Sequence, residues 1–460
     1  MTKESNYFIL KSAMFFGKEN RIMYKTLKSP LTVQLELTNI CDNNCFHCYN
    51  FWRKDFASQL ARGLSSNQVK FILEKLAEAE VFDVIITGGE PLLNKKGLFS
   101  CLEQVSRLGM GISLNSNLRS LNRDYARRLY KLGLRNVLTS VMGPTAAIHD
   151  AITQRSDSFE QTTHNIQLCL ELGFHVVVNM VVSRFNFDQV KETARLVCSL
   201  GVRKFCATKA GCPGNCYDFS GLSLTFNEFR SYLRDLHEVG EELDLDIDVL
   251  ESYPLCGIKD VDLYPEFINR RCLAGVTSCT IASDGKVRPC SHLDINYGDI
   301  FSEDIATIWS RMENWRQGNF LPATCKSCPL LLHCGGGCRM EAKMRRGALD
   351  ALDPYASPAD VPYCEKRIKM SHSIGKEQSP EIKSFRVNRY RYRKEFFGSI
   401  VMVGKMSRVY LDQTGTKVID QFRPGQTYTV DNIDWNGLDP QDFLLELAKK
   451  EMICLDINRR

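Results

Sequence analysis

The sequence has no apolar run long enough to cross a membrane. A spanning helix needs about 20 mostly apolar residues, and the stretch 176–182 suffices only for a buried strand. An excess of one charge sign is also missing. There are 59 Lys and Arg against 54 Asp and Glu, a net charge of +5. That balance gives no reason of its own to expect nucleic acid. The first residues lack a secretory profile, because Lys11, Lys18 and Glu19 interrupt the apolar ones. A cytoplasmic protein is expected. Bulk composition, 44% hydrophobic and 25% charged, is that of an ordinary globular chain. At 460 residues it can form two or three domains with a large core.

Cysteine is present in excess. There are 19, an odd number, and many are clustered. In a reducing compartment such clusters read as metal ligands rather than disulfides. The first cluster follows a strand pattern at 33–37, where a turn carries Cys41, Cys45 and Cys48 as C-x3-C-x2-C. A structural zinc site wants four protein ligands. Three cysteines instead suit a four-iron, four-sulfur cube and leave one iron without a protein ligand. A zinc knuckle and a chance cluster are the alternatives.

After the triad, strand and helix patterns alternate. Helical periodicity covers 66–80, with a Ser cap. A strand at 83–87 ends in Gly88-Gly89-Glu90-Pro91. Helix 98–108 leads to strand 111–115, helix 122–132 to strand 136–141, helix 158–172 to strand 175–182, and helix 187–200 to strand 204–208. Gly133 closes the helix before it. This repeat predicts an α/β fold, a parallel sheet covered by helices. In open parallel α/β sheets, ligands bind at the C-terminal ends of strands. The cysteine triad, the Gly-Gly-Glu-Pro turn and Ser140 all fall there.

The triad, with His47 before its last cysteine and Tyr49 after it, resembles the radical S-adenosylmethionine (SAM) enzymes. That resemblance implies a partial six-unit (β/α) barrel. It also implies that the open iron chelates SAM and that reduction releases a 5′-deoxyadenosyl radical. Gly88, Gly89 and Glu90 match the family's motif for the SAM ammonium. Ser116-Asn117 resembles its polar pair after the third strand. The segment Ser140 to Pro144, then His149-Asp150 and Arg155, resembles the stretch after the fourth strand. By that match, His47, Gly88, Gly89, Glu90, Asn117, Ser140 and Arg155 contact the cofactor. The family usually has Asp where Met142 stands. His149 reads as a helix-cap or surface residue without a catalytic role.

Cys206, Cys212 and Cys216 have no metal signature and read as core or loop thiols. Cys101, Cys169 and Cys198 lie in amphipathic helices and read as small buried hydrophobes. A helical connector, 225–243, leads to a loop with Cys256. Cys272, Cys279 and Cys290 then surround Gly285, and Cys325, Cys328, Cys334 and Cys338 follow as C-x2-C-x5-C-x3-C, with Cys364 last. This array resembles the SPASM extension of radical SAM enzymes. The resemblance implies two auxiliary cubes, one on Cys272, Cys279, Cys290 and Cys338, the other on Cys325, Cys328, Cys334 and Cys364. Taken alone, the array could also be a pair of zinc ribbons.

Residues 367–384 read as a linker. Strand-like runs at 397–403 and 408–411, a helical run at 412–421, a helix opened by Pro440 and a last strand at 452–455 follow. Their order resembles the PqqD-like peptide-recognition domains, small winged-helix α+β modules that bind a leader peptide as an added strand. Arg386, Arg389, Arg391, Arg393 and Lys394, interleaved with Tyr390 and Tyr392, could steer an acidic leader, bind RNA or form a solvated strand edge.

The expected domains are a radical SAM barrel (1–230), a connector (231–268), a SPASM domain (269–366), a linker (367–385) and a PqqD-like domain (386–460). The expected protein is a radical SAM peptide maturase with three [4Fe-4S] clusters and SAM. It would modify a ribosomally made precursor peptide and draw electrons from a donor such as flavodoxin or ferredoxin. Neither membrane nor nucleic acid is expected as a partner. The rivals are a sulfatase-maturase-like oxidation of Cys or Ser in a folded protein, and a non-catalytic iron–sulfur scaffold or regulator.

Overall fold

The computed structural model describes residues 9–10, 14–16, 22–50, 63–212, 219–264, 267–268, 270–371, 382–404 and 407–456. Cys216 and residues 372–381 of the expected linker lie outside them. The chain divides into two compact units, residues 29–372 and a second made of 1–28 with 373–460.

Three short strands come first, β1 (Ile9–Leu10), β2 (Met14–Phe16) and β3 (Ile22–Tyr24). The larger unit then begins with the expected alternation. In order these elements are β4 (Thr32–Glu36), α1 (Ser66–Glu78), β5 (Asp83–Thr87), α2 (Lys95–Leu108), β6 (Gly111–Asn115), α3 (Arg123–Lys131) and β7 (Asn136–Ser140). Then come α4 (Ala146–Thr153), α5 (Ser158–Glu171), β8 (His175–Val182), α6 (Val190–Ser199) and β9 (Lys204–Lys209). Strands β4 to β9 are parallel and adjacent in sequence order. Each helix presents an apolar stripe to the sheet, as Val69, Ile72, Leu73 and Leu76 of α1 do. The cap of α1 is Ser65 rather than Ser66, and it forms a capping box with Gln68. Helix α4 has no counterpart in the sequence reading.

The sheet continues beyond the six expected strands. Helix α7 (Phe226–Leu243) leads to β10 (Asp246–Asp248), which adds in parallel to β9, and α8 (Leu255–Ile258) follows. Next, β11 (Ser278–Ile281) adds in parallel to β4, and β12 (Lys286–Arg288) and β13 (Gly298–Asp299) extend that edge antiparallel. The cysteine-rich region thus begins as a continuation of the barrel sheet. A buried ion pair, Arg288 with Glu36, ties β12 to the end of β4. Short helices complete the unit: α9 (Ile305–Ser310), α10 (Glu313–Arg316), α11 (Ala323–Lys326), α12 (Leu331–Cys334), α13 (Arg339–Arg346) and α14 (Val361–Ser371). Helix α14 occupies the start of the expected linker.

The second unit carries β14 (Ser384–Val387), β15 (Tyr390–Glu395), β16 (Gly398–Val403), β17 (Ser407–Asp412), α15 (Gln413–Ile419), β18 (Thr427–Thr429), α16 (Pro440–Lys449) and β19 (Ile453–Asp456). Among the described residues its sheets have the orders β1-β17-β16-β15, β18-β14-β19 and β2-β3, all antiparallel. Residues 1–28, which the sequence reading assigns to the barrel, cluster with this unit instead. Its core includes Phe385, Val401, Leu411, Phe422, Leu444 and Leu447.

Candidate active site

The C-terminal ends of the parallel strands open into a cavity of about 350 Å³. Cys41, Cys45, His47 and Cys48 line it from the loop after β4. Gly88, Gly89 and Glu90 follow β5, Asn117 follows β6 and Ser140 ends β7, and all of them reach the same wall. The cysteine loop and the Gly-Gly turn are held together by backbone. Gly89 N donates to Thr38 O and Glu90 N to Ile40 O, both at 2.7 Å. A Cβ on Gly89 would sit 1.8 Å from Ile40 O, and one on Gly88, whose φ is +130°, 2.5 Å from Thr38 O. These glycines are needed for loop-to-loop approach, beyond any approach to a ligand.

Glu90 is buried, 1% exposed. Its carboxylate accepts from Leu92 N at 2.9 Å, Ser116 Oγ at 2.7 Å and Asn117 N at 2.8 Å. A carboxylate has about four acceptor sites, so one remains for a ligand. Burial raises its pKa to about 7, against the pull of these donors. The side chain of Asn117 donates to Asp42 at 2.8 Å, bracing the cysteine loop.

A second hollow, about 190 Å³, shares Cys41, Asn43, Cys45 and Cys48 with the cavity and adds Asn39 and Asn50. Asn43 Oδ1 and Asn50 Oδ1 are buried without a hydrogen-bond partner. Native proteins rarely leave such atoms unsatisfied, and here they border a space with three thiols. Donor set and hollow fit a cysteine-bound cluster. Among the described residues no three His, Cys, Asp or Glu side chains close on a single-ion site.

Arg155 is not brought to this site. It is exposed and absent from the cavity wall. It follows α4, which ends at Gln154 in a left-handed conformation, φ 53°. His149 is no surface residue. It is 1% exposed, lines the cavity, accepts from Met142 N at 3.2 Å and lies 3.2 Å from Ser158 Oγ. Burial lowers its pKa to about 4, so it is neutral at pH 7.

Residues 35–197 match the family model described as the radical SAM superfamily, and residues 272–329 match the one described as an iron–sulfur cluster-binding domain, SPASM. An AdoMet-dependent heme synthase of Oleidesulfovibrio alaskensis is 22% identical over 72% of this chain and 89% of its own. The mycofactocin maturase MftC of Mycolicibacterium smegmatis is 27% identical over 77% of this chain and 91% of its own. Among solved structures, Streptococcus suis SuiB bound to precursor peptide SuiA superposes with a TM-score of 0.57 at 17% identity, over 72% of this chain and 76% of its own.

Residues 35–197 are a radical SAM domain, and the protein is an enzyme of that chemistry. Its barrel is the partial (β/α) barrel of that class, and the chemistry uses an iron–sulfur cluster and SAM.

The sequence reading of this radical SAM enzyme missed a charged group on the cavity wall. Lys209, at the end of β9, is 1% exposed, with Nζ 3.1 Å from Glu251 and 3.7 Å from Glu341. Burial alone would lower the Lys209 pKa, but Glu251 and Glu341 outweigh it and hold it well above the ordinary lysine value. Glu251 also lies 3.6 Å from His292, whose ring packs on Tyr49 at 4.2 Å. Lys209, Glu251 and His292 line the cavity. The strand-end rule that picked Ser140 also points to Lys209.

The auxiliary cysteines are gathered only in part. Burial raises the Cys290 and Cys338 thiols, and the neighbouring Cys272 adds to both effects. Cys279 lies within β11, and burial alone pushes its thiol up to about 12. Cys325, Cys328 and Cys334 share a pocket that does not include Cys364. Elsewhere, Cys101, Cys169, Cys206 and Cys212 are buried as expected, and Cys198 is half-buried.

The basic run of the second unit is compensated in part. Arg393 is 1% exposed and paired with Glu395, and Lys394 pairs with Asp420 at 3.1 Å. Arg386 and Arg389 are exposed.

Among the described residues no helix is long and apolar enough to cross a membrane.

Proposed function

We propose that the protein is a cytoplasmic radical SAM peptide maturase with three four-iron clusters. It acts on a ribosomally made precursor peptide whose leader is bound by the second unit. The observation that carries this reading is the single cavity in which the cysteine triad, the Glu90 turn, Asn117 and Ser140 meet Lys209 and Glu251. When bound, SAM and its reduced cube supply a 5′-deoxyadenosyl radical that takes a hydrogen atom, and auxiliary clusters supply an outlet for an electron. Cys41, Cys45 and Cys48 would hold the cube, and Glu90 would accept from the SAM ammonium with its remaining acceptor site. Oxidation of the substrate also releases a proton. Glu251, on the wall and held by Lys209, is placed to receive it.

The maturase relative and the structure named with a precursor peptide support the substrate class. So does the second unit, where β15 has a strand neighbour on one side only among the described residues. An edge of that kind can take an added strand. The heme-synthase relative matches over a similar share of the chain, so the substrate must be tested directly. Reduced enzyme with SAM should release 5′-deoxyadenosine, and a full-length precursor should change mass. Residues 29–372 alone should still release 5′-deoxyadenosine but fail on the precursor, and a leaderless core should be equally poor with both forms. Equal turnover of precursor by both forms would remove leader binding by the second unit.

A further inference from the structure

Arg339 opens α13 directly after Cys338 and is 3% exposed. Its Nη1 donates to Leu349 O at 3.0 Å and Ala351 O at 2.9 Å, and its Nη2 to Gly336 O. Its Nε is buried without an acceptor among the described residues. Lys209 and Arg288 are also buried, but they meet carboxylates, Glu251 and Glu341 for the one and Glu36 for the other. The partners of the Arg339 guanidinium are carbonyl oxygens. A guanidinium keeps its proton in a protein. Burying that charge against neutral dipoles is costly, and an anion beside it would offset the cost.

Two groups of cysteines adjoin Arg339. Its backbone N–H donates to the sulfur of Cys272. Its guanidinium stands behind Gly336, which is on the wall of the pocket lined by Cys325, Cys328 and Cys334. The charge reaches Cys272 and Cys325 alike. Glu251 at Cys272 and Asp353 at Cys325 act with the opposite sign, each more weakly. Three thiols beside Leu331 and Val361 are a donor set that fits a cysteine-bound cluster.

We propose that Arg339 is a shared electrostatic tuner of the two auxiliary iron–sulfur sites, a fixed cation that raises both reduction potentials. A cube gains one negative charge on reduction, and a buried cation nearby stabilises that charge. A raised potential suits these sites to take the electron that substrate oxidation releases. The proposal rests on the iron–sulfur reading of the cysteine-rich region. The rival role is a staple that only gathers carbonyls.

The test uses the full chain with Cys41, Cys45 and Cys48 replaced by Ala, reconstituted anaerobically, so that every signal comes from the auxiliary sites. Iron is counted, and electron paramagnetic resonance during a redox titration reads each midpoint potential. Arg339→Gln should keep about eight irons per chain and shift both midpoints to more negative values. Arg339→Lys keeps the charge but loses the planar fork, and should recover most of that shift. Circular dichroism of each variant monitors folding. Unchanged midpoints in Arg339→Gln, or equal shifts in both variants, overturn the proposal. So does a shift confined to one signal. Loss of iron from either variant overturns it too, since that is the mark of a staple. A parent protein without auxiliary iron would instead refute the iron–sulfur reading itself.

Discussion

The two cysteine-lined spaces of the larger unit are built in opposite ways. The barrel cavity, about 350 Å³, has Glu90, Lys209 and Glu251 on its wall. The pocket beside α8, about 30 Å³, is lined by cysteines and apolar groups such as Leu331 and Val361. A polar, roomy cavity can hold a charged small molecule, orient it and accept protons. A tight apolar pocket excludes water and charge, which suits a centre that exchanges only electrons, because solvent exposure and burial tune cluster potentials. Under the proposed function, wall composition would separate proton chemistry from electron storage within one chain.

The strongest way to test this separation is to remove the barrel thiols. Replacing Cys41, Cys45 and Cys48 with Ala should abolish 5′-deoxyadenosine formation. Total iron should fall from about twelve to about eight per chain, one four-iron cube. The remaining signals should be unchanged, because the other pocket is independent. Loss of all iron would break the comparison.

Next in size is Lys209→Met. It leaves the buried Glu341 and the half-buried Glu251 without their shared cation. Breaking a buried pair from one side costs about 3–5 kcal/mol, to be read from anaerobic denaturant unfolding. A change under about 1 kcal/mol would mean that the carboxylates are neutral or hydrated.

The smallest effect is expected at Glu90. Glu90→Gln should weaken SAM binding roughly ten- to a hundredfold, the value of a charge-assisted hydrogen bond. With the free carboxyl at about 7, the ionised acceptor is lost as pH falls through that value. Wild-type affinity should therefore drop between pH 8 and 6, and the Gln variant should lack that dependence. For folding the sign is opposite. A raised acid pKa makes the buried ionised form cost stability as pH rises from about 4.5 to 7. Calorimetric titration across this range measures the binding term, and a pH-independent wild type would show that Glu90 is not the ammonium partner.

Much of the barrel was legible because its signals are local. Cysteine spacing, strand–helix alternation and the Gly-Gly-Glu-Pro turn each lie within a few residues, and the structure gathers them at one wall. What was missed is long-range. Lys209, Glu251 and Glu341 read singly as surface charges, since nothing local says that they meet. Arg155 lies past α4, a helix that the sequence patterns did not reveal and that ends left-handed at Gln154, and it is not on the cavity wall. The basic run 386–394 looked like a charged strip, but Glu395 and Asp420 offset two of its members.

The pairing of β1 with β17, Ile9 beside Leu411, has a consequence for synthesis. At about 5–20 residues per second, a ribosome needs roughly 20–80 s to make the intervening stretch. Throughout that interval the first strand has no sheet to join, while residues 29–372 emerge and can fold as their own compact unit. Closing so long a loop costs several kcal/mol in an open chain, on the order of 5 by polymer scaling. A body already folded between the two strands shortens the path they must search. Nascent-chain proteolysis should therefore find the barrel protected well before the first strand.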